Sequence, residues 1–209
     1  MNDATGLVPQ TVCAIAARLA AQTFPHWAPV TVAGGRALVS YRFNGREHER
    51  RVKIGLGAVT SPDVLRLLVS LPLGERVRSG ALTSADRRRL RTVGEGAIAS
   101  DGPELLRLAV PAVETGIALV PAESWRKGLE AAGGFTPFCA RAMVLRRVPR
   151  DVEALRMEAD FYGIGVIVAD SSGRDGPSVL VPSAPFVRER FSVGGWLFLE
   201  QLYATVRQA

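Results

Sequence analysis

Hydrophobic and polar positions recur along this chain with two periods, and the changes of period mark its elements. In "PQTVCAIAARLAAQTF" the apolar residues Val12, Ile15, Ala16, Leu19 and Ala20 fall at helical spacing, and Pro25 closes the run. The rhythm then shortens. "RALVSYRFNGREHERRVKIGLG" reads with a period near two and holds Asn44-Gly45 at its middle. Asn-Gly tolerates the positive φ angles of a tight type I′ turn, so the stretch predicts an antiparallel hairpin with strands Ala37–Phe43 and Glu49–Leu56. Ser61 followed by Pro62 is a helix start. "TSADRRRLRTVGEGAI" opens another helix, capped by Thr83 or Ser84, with Leu90, Val93 and Ala97 on one apolar face. In "VGGWLFLEQLYATVRQA" the residues Trp196, Leu199, Leu202, Tyr203 and Val206 make a wide stripe, so this helix is expected to pack on the body of the protein.

Two further stretches keep step when overlaid. "ELLRLAVPAVETGIALVPA" starts at Glu104 and "EALRMEADFYGIGVIVAD" at Glu153; Leu106 meets Leu155, Arg107 meets Arg156 and Gly116 meets Gly165. Each reads as a helix that runs through glycine into an apolar strand, Gly116–Val120 in the first and Gly163–Ala169 in the second. Unbroken apolar strands are those a sheet buries on both faces. The matched residues are mostly Leu, Val and Gly, which any alternating chain repeats, so the overlay is not read as a duplication. "CARAMVL" and "SVLVPS" add two strands. The order predicts a mixed α/β fold in one domain over 1–209. Its single central mixed sheet is flanked by helices, with an early β-hairpin and a C-terminal helix.

A chain of 209 residues, 47% hydrophobic and 22% charged, has the make-up of a globular protein and excludes a disordered one. No apolar run has the length of a membrane span, and "MNDATGLVPQ" has no basic segment leading into an apolar one, so neither a membrane nor a secretory address is expected. Cys13 and Cys139 stand far apart and read as free thiols of a reducing, cytoplasmic compartment. The formal net charge is +6 and nearly all the positive charge is arginine; Lys53 and Lys127 are the lysines. The arginine share fits a GC-rich genome, as do Ala, Gly and Val. The excess of sign points to polyanions or acidic partners.

The early helix, the hairpin and the later helix–strand units, with "EADFYGIGVIVAD" as a closing helix–strand, give a layout that resembles the restriction-endonuclease-like, or PD-(D/E)XK, superfold. That resemblance implies carboxylates holding a divalent metal and a lysine two residues beyond an acid on a strand. In "ERRVKIG" the lysine is Lys53, but Arg51 stands two residues before it, and Glu49 is the nearest acid on the same strand face. The signature is degenerate. Glu49 and Lys53 are the candidate catalytic pair, and a divalent metal is implied only if the nuclease reading holds.

The arginines are the stronger candidates. Arg76, Arg78, Arg87, Arg88, Arg89 and Arg91 fall in one segment, with Arg87, Arg88 and Arg91 on one helical flank. Arg146, Arg147 and Arg150 form a second group at a strand end. Such groups suit phosphate contacts; little aromatic interleaving accompanies them. Asp170, Ser171, Ser172 and Gly173 read as a polar hairpin loop after a strand, since no helix start follows. His26 and His48 have no partner at metal-ligand spacing, and no zinc, P-loop or G-x-S-x-G pattern occurs. Glu158 and Asp160 point to different faces of their helix and make no acid–base pair.

Three function classes follow. The first is association with DNA or RNA through the arginine groups, on a nuclease-like scaffold without an intact catalytic set. The second is an accessory protein that binds a protein partner or a second copy of itself through "FTPF" or the C-terminal helix. The third is a small-molecule enzyme with its site at the strand ends.

Overall fold

The structure is a computed structural model and describes residues 15, 23–32, 35–169, 177–188 and 190–207. Its elements run β1 (His26–Val32), β2 (Gly35–Phe43), α1 (Gly45–Ile54), α2 (Pro62–Ser70), β3 (Arg76–Arg78), α3 (Ser84–Leu90), β4 (Ile98–Asp101), β5 (Glu104–Arg107), β6 (Val113–Ala122), α4 (Trp125–Gly133), β7 (Ala140–Leu145), α5 (Val152–Phe161), β8 (Gly165–Val168), β9 (Ser178–Val181) and α6 (Val193–Val206). The predicted mixed α/β class is present. A six-stranded sheet has the order β1-β2-β6-β7-β8-β9, and a second, small sheet that the sequence does not suggest has the order β3-β5-β4. No helix of the described residues is long and apolar enough to cross a membrane. The chain divides into two compact units: the described residues of Met1–Arg42 with Thr115–Val187, and those of Phe43–Glu114 with Arg188–Ala209.

The first unit carries the large sheet. β6, β7 and β8 are parallel and in register at Ala122↔Leu145 and Leu145↔Val168, while β1–β2 and β8–β9 are antiparallel. The step from β6 to β7 to β8 runs one way across the sheet. Crossovers share a hand, so α4 and α5 fall on the same face. Gly128 lets α4 lie close: a Cβ there would come within 2.9 Å of both Ala122 Cβ and Met143 Sδ. On the opposite face Leu119, Ala142, Val144 and Ile167 close a core with Ile15. Within the predicted strand segments the centres are buried, with Leu119, Val166 and Val168 at most 1% exposed; Gly116, Ile117, Gly163 and Ala169 are half-buried, and the second strand is the shorter Gly165–Val168. Of the predicted first-helix stretch, only Ile15, Thr23 and Phe24 lie within the described residues, and Asp170 to Gly173 lie outside them.

The second unit packs α2 against α6 around Val64, Leu65, Leu68, Ala97, Ala109 and Trp196. Ser61 caps α2 with Pro62 in its first turn, and Thr83 caps α3, both as read from the sequence. The stripe Trp196, Leu199, Leu202, Tyr203 and Val206 is buried, each residue at most 5% exposed, so α6 is not a free appendage. Burying each such side chain contributes roughly 1.5–3 kcal/mol.

Three expectations are corrected. The early hairpin is β1–β2, with Val32 opposite Gly35; the segment expected to pair with Ala37–Phe43, Glu49–Leu56, forms most of α1 instead. Asn44 is the N-cap of that helix, with extended backbone and its side chain accepting from Glu47 N, and Gly55 ends it at φ +70°. Second, Glu104–Arg107 is strand β5, not helix; it pairs with β4 across Gly102-Pro103, where Gly102 has φ +56°. The two overlaid stretches therefore share a strand but not a preceding helix. Third, α3 ends at Leu90, so Val93 and Ala97 lie beyond it, though both still pack in the core.

Candidate functional site

The structure separates the sequence candidates. Glu49 and Lys53 are one helical turn apart on α1, both exposed, not on a strand. Among the described residues no cluster of three or more His, Cys, Asp or Glu could hold a metal ion. The reason α1 is a helix is also the reason its pattern misleads. Its inward residues are Glu47 and Arg51, at 3% and 0% exposure, while Val52 and Ile54 face outward at 65% and 46%.

Those inward charges make a closed network. Arg51 donates through Nε to Glu47 Oε1 at 2.7 Å, and through Nη1 and Nη2 to the two oxygens of Glu200 at 2.7 and 2.8 Å. Nη2 also reaches Val110 O at 2.7 Å. Glu200 further accepts from Val59 N at 2.7 Å and from the Trp196 indole at 2.9 Å. Arg50 clasps Glu47 with two bonds of 2.8 Å. Burial by itself pushes the Glu47 carboxyl up, but the bonds and charges of Arg50 and Arg51 outweigh it and hold the group below its ordinary value. Burial likewise works against the Arg51 charge, and Glu200 and then Glu47 more than offset it. Two carboxylates balance two guanidiniums, and each carboxylate oxygen has a donor. The network holds α1 to α6 and offers no open position for a reactant.

The arginine segment of the second unit is thinned by local pairing. Arg76 contacts Asp101 and Glu104 at 3.3 and 3.0 Å. Arg89 contacts Asp63 and Asp86 at 3.2 and 2.8 Å, and Arg87 donates to Leu82 O at 2.8 Å. Arg78, Arg88 and Arg91 are exposed and make no ion pair among the described residues. Part of the run also serves α3 itself, whose last turn holds Arg87, Arg88 and Arg89 where the helix dipole favours cations.

In the first unit the second arginine group sits where three parallel strands end together. After Leu145 come Arg146, Arg147, Val148 and Arg150, all exposed, and the three arginines make no ion pair among the described residues. The N-termini of α4 and α5 lie at this same edge, since each helix runs back against the strands. Trp125 at the start of α4 donates its indole N–H to both oxygens of Asp151 at 3.1 Å, which ties the two helix starts together. The Arg126 guanidinium lies 4.2 Å over the Trp125 ring and 3.5 Å from Asp151. Asp151 is thus engaged, while Glu123 is exposed at the same edge.

Between α4 and α5 runs an open cleft of about 370 Å³, lined by residues that include Arg126, Glu130, Arg141, Glu158, Tyr162 and Ile164. Arg141 Nη2 donates to Tyr162 O at 2.7 Å, its buried Nε has no hydrogen-bond partner, and burial pushes its guanidinium down from the ordinary value. No local sequence signal marks this cleft. Its residues come from two helices and a strand start, and only the sheet order brings them together. His48 lies 3.1 Å from the Tyr203 hydroxyl, and the His26 ring lies 5.3 Å from that of Tyr41 within the sheet. Cys139 is buried and unbridged. Of "FTPF", Phe135 is fully buried, Phe138 is half-buried and Pro137 is exposed.

No protein-family model matches the chain, and neither a curated protein nor a solved structure matches it.

Proposed function

We propose that this is a cytoplasmic, nucleic-acid-associated protein that binds phosphate backbones through Arg146, Arg147 and Arg150, with Arg78, Arg88 and Arg91 as a second contact group on the other unit. One observation carries the reading: three exposed arginines without a carboxylate partner stand within five residues at the carboxyl edge of β6–β8. Ligands of α/β sheets gather at that edge. The two helix N-termini there add backbone N–H groups and positive potential, which suit phosphate. On this reading the layout that resembles the restriction-endonuclease-like superfold serves as a binding scaffold. No hydrolytic step falls to Glu49 and Lys53, which point into water from a helix.

The test is fluorescence anisotropy of labelled duplex DNA and single-stranded RNA over a salt series. The intact chain should bind at low salt and lose affinity as salt rises. Changing Arg146, Arg147 and Arg150 together to Ala should flatten the log–log salt slope on duplex DNA by about 0.9 for each phosphate that is no longer neutralised. Absence of binding to either nucleic acid at low ionic strength would sink the reading.

A further inference from the structure

The outer face of α5 is built unlike the rest of this basic chain. The helix buries Leu155 and Ala159, while Met157, Phe161 and the following Tyr162 are 74%, 81% and 53% exposed. The Phe161 and Tyr162 rings stand edge to face with centroids 5.0 Å apart. Residues three and four apart share a helix face, so Ala154, Met157 and Phe161 form one outward stripe. At 3.6 residues per turn Glu153 and Asp160 flank the stripe on one side and Glu158 on the other. Glu158 and Tyr162 continue the surface into the cleft, where Glu130 also lines the wall. Glu153 has Arg156 at 3.5 Å, but Glu130, Glu158 and Asp160 make no ion pair among the described residues. Of the cleft's cations, Arg126 leans on Asp151 and Arg141 gives a donor to a carbonyl. The C-terminal end of α5 adds its own negative potential beside Phe161.

We infer that this acid-rimmed apolar stripe is a docking surface for a basic amphipathic helix of a protein partner. The chemistry selects the occupant. Phosphate backbones and anionic lipid are repelled by the same acids that border the stripe. A second copy laid antiparallel on α5 brings Glu153 and Asp160 beside their own counterparts, and like charges so placed are destabilising. A helix with apolar anchors at i, i+3 and i+4 and arginine or lysine on both flanks covers Met157 and Phe161 and neutralises the three unpaired acids. This surface is independent of the arginine edge proposed for nucleic acid.

The probe is a synthetic helix of about 18 residues with leucines at i, i+3, i+4 and i+7 and arginines and lysines on the flanks, a length of about five turns. Its control has the same leucines with glutamates on the flanks. Anisotropy with the full chain should show saturable binding of the basic peptide and none of the acidic one. Met157→Ser with Phe161→Ser, and separately Glu158→Lys with Asp160→Lys, should each weaken binding by about thirtyfold, the effect of removing a hot-spot side chain. All four positions are exposed, so circular dichroism should be unchanged. Arg146→Ala/Arg147→Ala/Arg150→Ala should bind the peptide as the parent does, which separates this surface from the arginine edge. Equal binding of the two peptides, undiminished binding in either double variant, or no binding of the basic peptide up to about 1 mM overturns the inference. So does a dimer in sedimentation that Met157→Ser/Phe161→Ser makes monomeric, because the occupant is then a second copy.

Discussion

Arg51 is a fully buried guanidinium, and what it does follows from what its removal leaves behind. Glu47 and Glu200 are 3% and 0% exposed, and with Arg51 gone Glu200 keeps only the Val59 and Trp196 donors. Arg51→Met therefore leaves buried charge without its partner, which costs about 3–5 kcal/mol. In a chain of this size each kcal/mol moves the melting temperature by about 2–4 °C. Glu200→Gln keeps the shape and one accepting oxygen, so it should lose less than Arg51→Met. A pH dependence follows from Glu47. Its folded carboxyl is held below the unfolded value, so its stabilising effect is present above about pH 4.3, the ordinary glutamate value. That effect is lost as pH falls through the folded value. Urea midpoints between neutral and acid pH should therefore fall more steeply for the parent than for Glu47→Gln, which starts lower at neutral pH. An acid limb equally steep in both proteins contradicts this role.

At the scale of elements, α1 shows how one local signal carries two meanings. Asn44-Gly45 fits a hairpin turn, and Asn at an N-cap followed by a helix fits it as well. Polarity decides between them: if apolar residues are assumed to face inward, Val52 and Ile54 become core and the stretch alternates. In the folded protein the inward side is Glu47 and Arg51, whose partner Glu200 is 149 residues away in sequence. No local pattern contains that partner. β5 is hidden for a related reason, since a four-residue strand in a small sheet has too few positions to show a period. Elements whose core is made by their own apolar runs are legible: β7, β8, α2 and α6 all match the sequence reading in kind. The two accounts of Gly45 differ in a measurable way. A type I′ turn needs positive φ there, whereas in α1 Gly45 is the first helical residue with nothing within 4 Å of an added Cβ. Gly45→Ala should be neutral or stabilising by up to about 1 kcal/mol. Gly55→Ala, at φ +70°, should cost about 1–2 kcal/mol although its Cβ also meets open space. Chemical denaturation of the two variants reads the difference, and a loss of stability in Gly45→Ala alone contradicts the helix.

At the scale of the whole molecule the chain is basic by +6, and part of that charge is already committed within the fold. Many arginines serve the fold: Arg50 and Arg51 in the buried network, and Arg107, which donates to Leu68 O and Leu71 O at the end of α2. Others pair with nearby acids, as Arg76 and Arg89 do. The exposed arginines that make no ion pair among the described residues include Arg78, Arg88 and Arg91 on one unit and Arg146, Arg147 and Arg150 on the other. Both groups are visible in the sequence as runs, but which members are already engaged is not, because Asp63, Asp101 and Glu104 reach them only through tertiary structure. A polyanion that binds the folded chain and not the unfolded one must raise the melting temperature by mass action. At a hundredfold excess over its dissociation constant the gain is about 2.7 kcal/mol, or about 5–10 °C for a chain of this length. Inorganic polyphosphate at low salt is the probe, with monomeric phosphate at equal phosphorus concentration as control. The rise should appear with the polymer alone, shrink in Arg146→Ala/Arg147→Ala/Arg150→Ala, shrink further when Arg78, Arg88 and Arg91 are also changed to Ala, and vanish at high salt. A rise of the same size in the sixfold variant assigns it to charge spread over the whole surface and removes the special standing of these six residues.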